Sequence, residues 1–136
     1  MVSETNHQPK LERNSTHLAG EYFVAAELYR RGFSVGMTIG NAKAIDILAY
    51  KDKNPIAIQV KAIKNKKSVG WPIMRDKVED GIIYIFVNLN NQDHPDYFIC
   101  NSLEAREKVK QYKTRGIIDL TTLRNTNFHD RWDKLE

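Results

Sequence analysis

"AIDILAYKDKNPIAIQVKAIKNKK", residues 44–67, places an acid, Asp46, between Ile45 and Ile47 in what otherwise reads as a core strand. A second apolar run, Ile56 to Val60, is interrupted by Gln59 and closed by Lys61. The two runs predict strands over 44–50 and 56–62, and "KDKNP" between them reads as a hairpin loop. Alternate residues of a strand share a face, so Gln59 and Lys61 point one way and Ile58 and Val60 the other. If the runs pair, Asp46 lies near the same end as Gln59 and Lys61. Three polar groups at a sheet edge are costly to desolvate unless something satisfies them. An Asp46–Lys61 ion pair with the Gln59 amide as helper meets that demand, and so does a bound ligand.

Charge is concentrated in the same place. Residues 51–67 hold six lysines against one acid, Asp52, whereas the whole 136-residue chain carries a net charge of only +4. Such a patch is either a solvated lysine-rich loop or an electrostatic footprint for phosphate backbones. No apolar run approaches the roughly 20 residues needed to span a bilayer, and the first residues lack an apolar leader core. A lone cysteine, Cys100, forms no intrachain disulfide or thiolate cluster. These features predict a cytoplasmic protein with no membrane partner.

Outward from the opening stretch, residues 1–13 are polar and predict a flexible tail, with a single domain over 14–136. Ser15 or Thr16 can cap a helix that carries Leu18, Tyr22, Ala25, Ala26 and Tyr29 at helical spacing and stops at Gly32. "FSVGMTIGN" predicts a short strand and a turn. After the lysines, "WPIMRDKVED" (71–80) predicts a loop with a short helix after Pro72. "IIYIFVNL" (82–89) has the unbroken β-branched and aromatic character of a central buried strand. "YFIC" predicts another strand, 102–113 an exposed helix capped by Ser102, and the tail docks Trp132 and Leu135 on the core. The order predicts a mixed α/β or α+β fold, a central sheet with helices packed on it.

Glu21 stands near the expected start of the first helix, directly after Gly20. Together, Glu21, Asp46 and "IQVKA" resemble the PD-(D/E)XK nuclease superfamily, with the restriction-endonuclease-like fold. The layout "GEYFVAAEL…IDILAY…IQVKA…W", over roughly 15–88, looks like small bacterial members of it. In that superfamily a helix glutamate precedes a strand aspartate, and a following strand supplies (D/E)-x-K. Here Asp46 matches the aspartate, Glu21 the helix glutamate, and Gln59-Val60-Lys61 a Gln-x-Lys variant of the last motif.

The resemblance implies a metal-dependent nuclease acting on nucleic acid, DNA in the first instance, with Glu21, Asp46, Gln59 and Lys61 as its catalytic residues. Mg2+ or Mn2+ would be held by Glu21, Asp46, the Gln59 amide oxygen and the Val60 carbonyl; a carboxamide oxygen can ligate a hard cation, though without charge. Lys61 would orient the attacking water or stabilise developing charge. Lys64, Lys66 and Lys67 would hold the substrate backbone. His17, one turn before Glu21, and Trp71 are further substrate-contact candidates, with a plain helix histidine and core packing as their alternatives. Gln59 in place of an acid keeps open a catalytically inactive nucleic-acid-binding or protein-interaction module. So small a chain leaves little room for a sequence-reading domain, so a homodimer or a protein partner is a further expectation.

Overall fold

The computed structural model describes residues 8–38, 45–52 and 54–136, with the side chains of the first helix from residue 13 onward. Helix α1 (Gln8–Arg30) starts well before the expected Ser15 or Thr16 cap, so residues 8–13 are helical rather than part of a flexible tail. Residues 1–7 of that tail lie outside the described residues. Gly32 ends the helix at φ 89°, a left-handed conformation that costs glycine little. The Phe33 N–H returns to the Leu28 carbonyl and the Gly32 N–H to that of Tyr29, which satisfies two terminal carbonyls.

Strands β1 (Ser34–Met37), β2 (Ile47–Tyr50), β3 (Ile56–Ile63), β5 (Ile82–Asn88) and β6 (Asp96–Cys100) form a sheet in the order β1-β2-β3-β5-β6. The predicted hairpin exists: β2 and β3 pair antiparallel, with Ile47 opposite Ile58. Residues 39–44, including Ala44 at the start of the quoted stretch, lie outside the described residues. β3 and β5 pair parallel, so the sheet is mixed, and the segment between them must cross over one face. That segment carries β4 (Gly70–Pro72) and a 3-10 turn over Arg75–Lys77. "WPIMRDKVED" is therefore not a loop at its start.

β4 joins a second, three-stranded sheet in the order β4-β8-β7, with β7 (Lys110–Gln111) and β8 (Gly116–Asp119). The expected helix over 102–113 divides into α2 (Ser102–Lys108) and β7. Its cap is Asn101 rather than Ser102: the Asn101 side chain accepts the Glu104 N–H, and the Glu104 carboxylate accepts the Asn101 N–H. The helix stops because Val109 turns extended and is buried. A short α3 (Leu120–Arg124) follows β8.

Two cores sandwich the five-stranded sheet. α1 covers one face with Val24 and Leu28 against Ile58, Val60, Ile85 and Val87. The small sheet, α2 and α3 cover the other, where Trp71, Tyr84, Phe86 and Phe98 pack together. β5 is covered on both faces, which explains why its sequence is unbroken rather than alternating. Trp132 and Leu135 dock on the α1-side core, as expected from the sequence.

Candidate active site

Asp46 stands immediately before β2 and is still tied to the segments on both sides. Its main-chain carbonyl accepts the Thr38 N–H at 3.0 Å and its own N–H donates to the Ile58 carbonyl at 2.9 Å, so both sides of the residue are tied. Its Oδ2 accepts the Val60 N–H at 2.8 Å. The carboxylate thus holds β3 by one oxygen and leaves Oδ1 free of that bond.

α1 brings the other acid. Gly20 faces β3 so closely that a Cβ at this position would stand 2.6 Å from the Ala62 Cβ. That approach sets Glu21 against the strand end, where only 6% of its surface remains exposed. One helical turn earlier, His17 reaches both acids: its Nε2 is 2.6 Å from Glu21 Oε2 and 4.0 Å from Asp46 Oδ1. One ligand atom from each of His17, Glu21 and Asp46 lies within 4.8 Å of the others.

Electrostatically this cluster is strained. Burial, reinforced by the Asp46 charge, raises the Glu21 pKa, and His17 only partly opposes it. Burial also raises the pKa of Asp46, against the Val60 N–H and the charges of His17 and Lys61. Burial depresses the Lys61 pKa, with the Asp46 charge opposing. Both carboxylates therefore resist ionisation in the protein's own environment, and a second positive charge beside them would relieve that cost. Two carboxylates and an imidazole are a donor set suited to a divalent cation of the first transition row or to magnesium. The residues fit a metal.

Gln59 and Lys61 lie on the other face of β3 from Ile58 and Val60, as alternation predicts. They line an open cavity of about 390 Å3 with Met74, Lys77, Thr114 and Arg115. Lys61 acts on Asp46 through its charge, whereas the basic group within 4.0 Å of that carboxylate is His17. The Asp46–Lys61 ion pair weighed above as the alternative to a bound ligand thus gives way to a histidine contact. For Val60 the described contact is its N–H on Asp46.

Of the expected substrate contacts, Lys64 lines a cavity with Arg13 and Thr16 on the α1 side of β3. Lys66 and Lys67 line a different one that also holds Asp93 and Asp96. Trp71 does not reach substrate. It is fully buried, its ring is 5.4 Å from Phe86 and 5.8 Å from Phe98, and its Nε1–H donates to the Val87 carbonyl at 3.0 Å. Its strand belongs to the small sheet and sets the ring against Phe86 and Phe98 of the large one, which leaves no face for a base.

Sequence reasoning placed His17 near the site but gave it no share in the acidic cluster, although the i, i+4 spacing of His17 and Glu21 signals one. Gly20 carries no signal in the sequence, because only the packed structure shows what its missing Cβ avoids. Lys77 and Arg115 are far from Lys61 in sequence and carry no motif.

No protein-family model matches this chain, and no curated protein does. A solved structure does: the 1.6 Å structure of Archaeoglobus fulgidus Hjc, a Holliday junction resolvase from an archaeal hyperthermophile. The two chains are 18% identical, the match covers 79% of this chain and 92% of that one, and the TM-score is 0.54. At that identity the likeness shows the fold: this chain has the nuclease-type arrangement of the resolvase, a mixed five-stranded sheet flanked by helices.

Proposed function

We propose that this protein is a divalent-metal-dependent nuclease that hydrolyses phosphodiester bonds in DNA. The observation that carries the reading is the convergence of His17, Glu21 and Asp46 within 4.8 Å at the strand end beside Lys61. DNA is the substrate proposed because the similar solved protein is a Holliday junction resolvase.

Glu21, Asp46 and His17 would hold Mg2+ or Mn2+, with the Gln59 amide oxygen and the Val60 carbonyl as neutral supplements. Such an ion, when bound, polarises the phosphoryl group and lowers the pKa of coordinated water. The chain's own residues do the rest. The Val60 N–H fixes one oxygen of Asp46, so the other presents a constant direction. Lys61 lines the cavity within reach of the Asp46 charge and holds a proton at Nζ that burial makes easier to give up. It orients the attacking water or places that proton against the charge developing on phosphorus-bound oxygen. Lys64, with Arg13 beside it, offers backbone contacts on the α1 side.

A second reading, binding of nucleic acid without cleavage, is favoured by Gln59, which supplies no charge where the superfamily motif has an acid. The test is cleavage of DNA and RNA forms by wild type, Asp46→Ala and Lys61→Ala with Mg2+ or Mn2+. Cleavage by wild type that both variants lose is the expected result. Cleavage persisting in both variants contradicts the assignment, and no cleavage by pure wild type supports the binding reading.

A further inference from the structure

The cavity that holds Gln59 and Lys61 continues away from the acidic cluster. Across Met74 it meets a second open cavity of about 640 Å3, lined by Arg75, Asp76, Tyr112 and Lys113 among others. The first of the two carries Lys61, Lys77 and Arg115 and, among the described residues, no acid. The cations leading from Lys61 thus meet no acid among the described lining residues until Asp76 in the second cavity. Among the other surface cavities, one sets Lys66 and Lys67 near Asp93 and Asp96 and another holds the Lys51–Glu136 ion pair, while that of Arg13 and Lys64 shows no acid among its described lining residues. Arg75 and Arg106 are already engaged, the first by main-chain carbonyls and the second by Asp80 and the Val78 carbonyl. Lys77, Lys113 and Arg115 form no ion pair among the described residues.

The tip of the β7–β8 hairpin, "YKTR" (112–115), is braced rather than loose. The Tyr112 N–H donates to the Arg115 carbonyl at 2.7 Å, and the Gln111 amide donates to the carbonyls of Tyr112 and Arg115 at 2.7 and 3.1 Å. The Gln111 side-chain oxygen in turn accepts the Arg75 N–H at 2.8 Å. The turn therefore presents its cations from a fixed backbone. Tyr112 is 53% exposed, with the Arg115 guanidinium 5.7 Å from its ring centroid. An exposed aromatic interleaved with cations is the chemistry of a stacking platform for unpaired bases.

We propose that this hairpin face holds an unpaired nucleic-acid strand leading to or from the scissile phosphate, with Lys77, Lys113 and Arg115 on its phosphates and Tyr112 stacked on a base. The assignment rests on the nuclease reading for its direction, since Lys61 is where the path begins. A fully paired duplex offers Tyr112 no open base face, so the surface favours single-stranded or branched substrates over a blunt duplex.

The test is binding without cleavage, by fluorescence anisotropy in EDTA, of a labelled single-stranded oligonucleotide and a blunt duplex of the same length. Wild type is expected to bind the single strand more tightly. Lys77→Ala, Lys113→Ala and Arg115→Ala should each weaken that binding and lower the slope of log affinity against log salt by about 0.7. Tyr112→Ala should weaken it by roughly five- to 150-fold, the range for loss of one stacked base, and erase the preference over duplex. Lys51→Ala, which removes a lysine paired to Glu136, should change nothing. Hairpin variants that bind as wild type does, or a wild type that binds neither substrate, overturn the proposal. Cleavage assays with Mn2+ on the same proteins separate the two readings. Binding lost in the hairpin variants, with no cleavage by wild type, leaves the hairpin assignment standing and removes the nuclease; cleavage by wild type with unchanged binding in the variants does the reverse.

Discussion

The Asp46 carboxylate accepts the Val60 backbone N–H at 2.8 Å, so a site residue also closes the edge of the sheet. The two roles separate by substitution. Asp46→Asn keeps an acceptor oxygen for Val60 and removes the charge, whereas Asp46→Ala leaves the strand N–H unmatched. Urea denaturation of the metal-free protein should show Asp46→Ala destabilised by about 1–3 kcal/mol and Asp46→Asn equal to wild type or more stable. Both should lose cleavage.

The raised pKa values of Glu21 and Asp46 give the stability of the metal-free protein a definite pH dependence. Each group has a folded-state pKa above its unfolded value, so folding favours the protonated form. Their contribution is most favourable below the ordinary carboxylate range and is lost as pH rises through the raised values. The double variant Glu21→Gln/Asp46→Asn should therefore be more stable than wild type at pH 8, with the advantage shrinking toward pH 4. A difference in unfolding free energy that is flat across that window contradicts the electrostatic description.

Gly20 sets the distance between α1 and β3. Gly20→Ala places a methyl 2.6 Å from that of Ala62, so the helix must shift and carry His17 and Glu21 with it. A loss of about 1–3 kcal/mol is expected despite alanine's better helix propensity, together with weaker metal binding. Adding Ala62→Gly should recover part of both, as measured by denaturation and by titration with Mn2+.

Gln59→Glu restores an acid two residues before Lys61. Because the wild-type cluster has two carboxylates, a third should tighten Mg2+ binding severalfold in calorimetric titration and raise cleavage at low Mg2+. His17 biases the wild type the other way: imidazole nitrogen suits Mn2+ better than Mg2+. Wild type should then be more active with Mn2+, and His17→Ala should narrow that preference. Unchanged metal selectivity in His17→Ala would remove the imidazole from the site.

Much of this was legible in the chain because it rests on local pattern. The Asp46 strand, the Gln59/Lys61 face and the both-sides-buried β5 each follow from side-chain alternation or its absence. What escaped depends on long-range closure. The crossover between parallel β3 and β5 is built on β4, which acquires strand structure only by pairing with β8, 47 residues on in the register Trp71↔Ile118. For the same reason Trp71 stood as a substrate-contact candidate beside core packing, since nothing local says that its strand will set the ring into the core. β7 ends the helix over 102–108 because Val109 finds the core, an outcome that tertiary packing decides over helix propensity. His17 and Glu21 were visible as a helical pair, but the Asp46 partner comes from another element.

The central claim is that His17, Glu21 and Asp46 form one metal centre. Isothermal titration of Mn2+ into wild type and into Glu21→Gln/Asp46→Asn tests it most directly. One Mn2+ bound per wild-type chain, and none in the variant with its fold intact by circular dichroism, is the predicted result; equal binding by both proteins would contradict it.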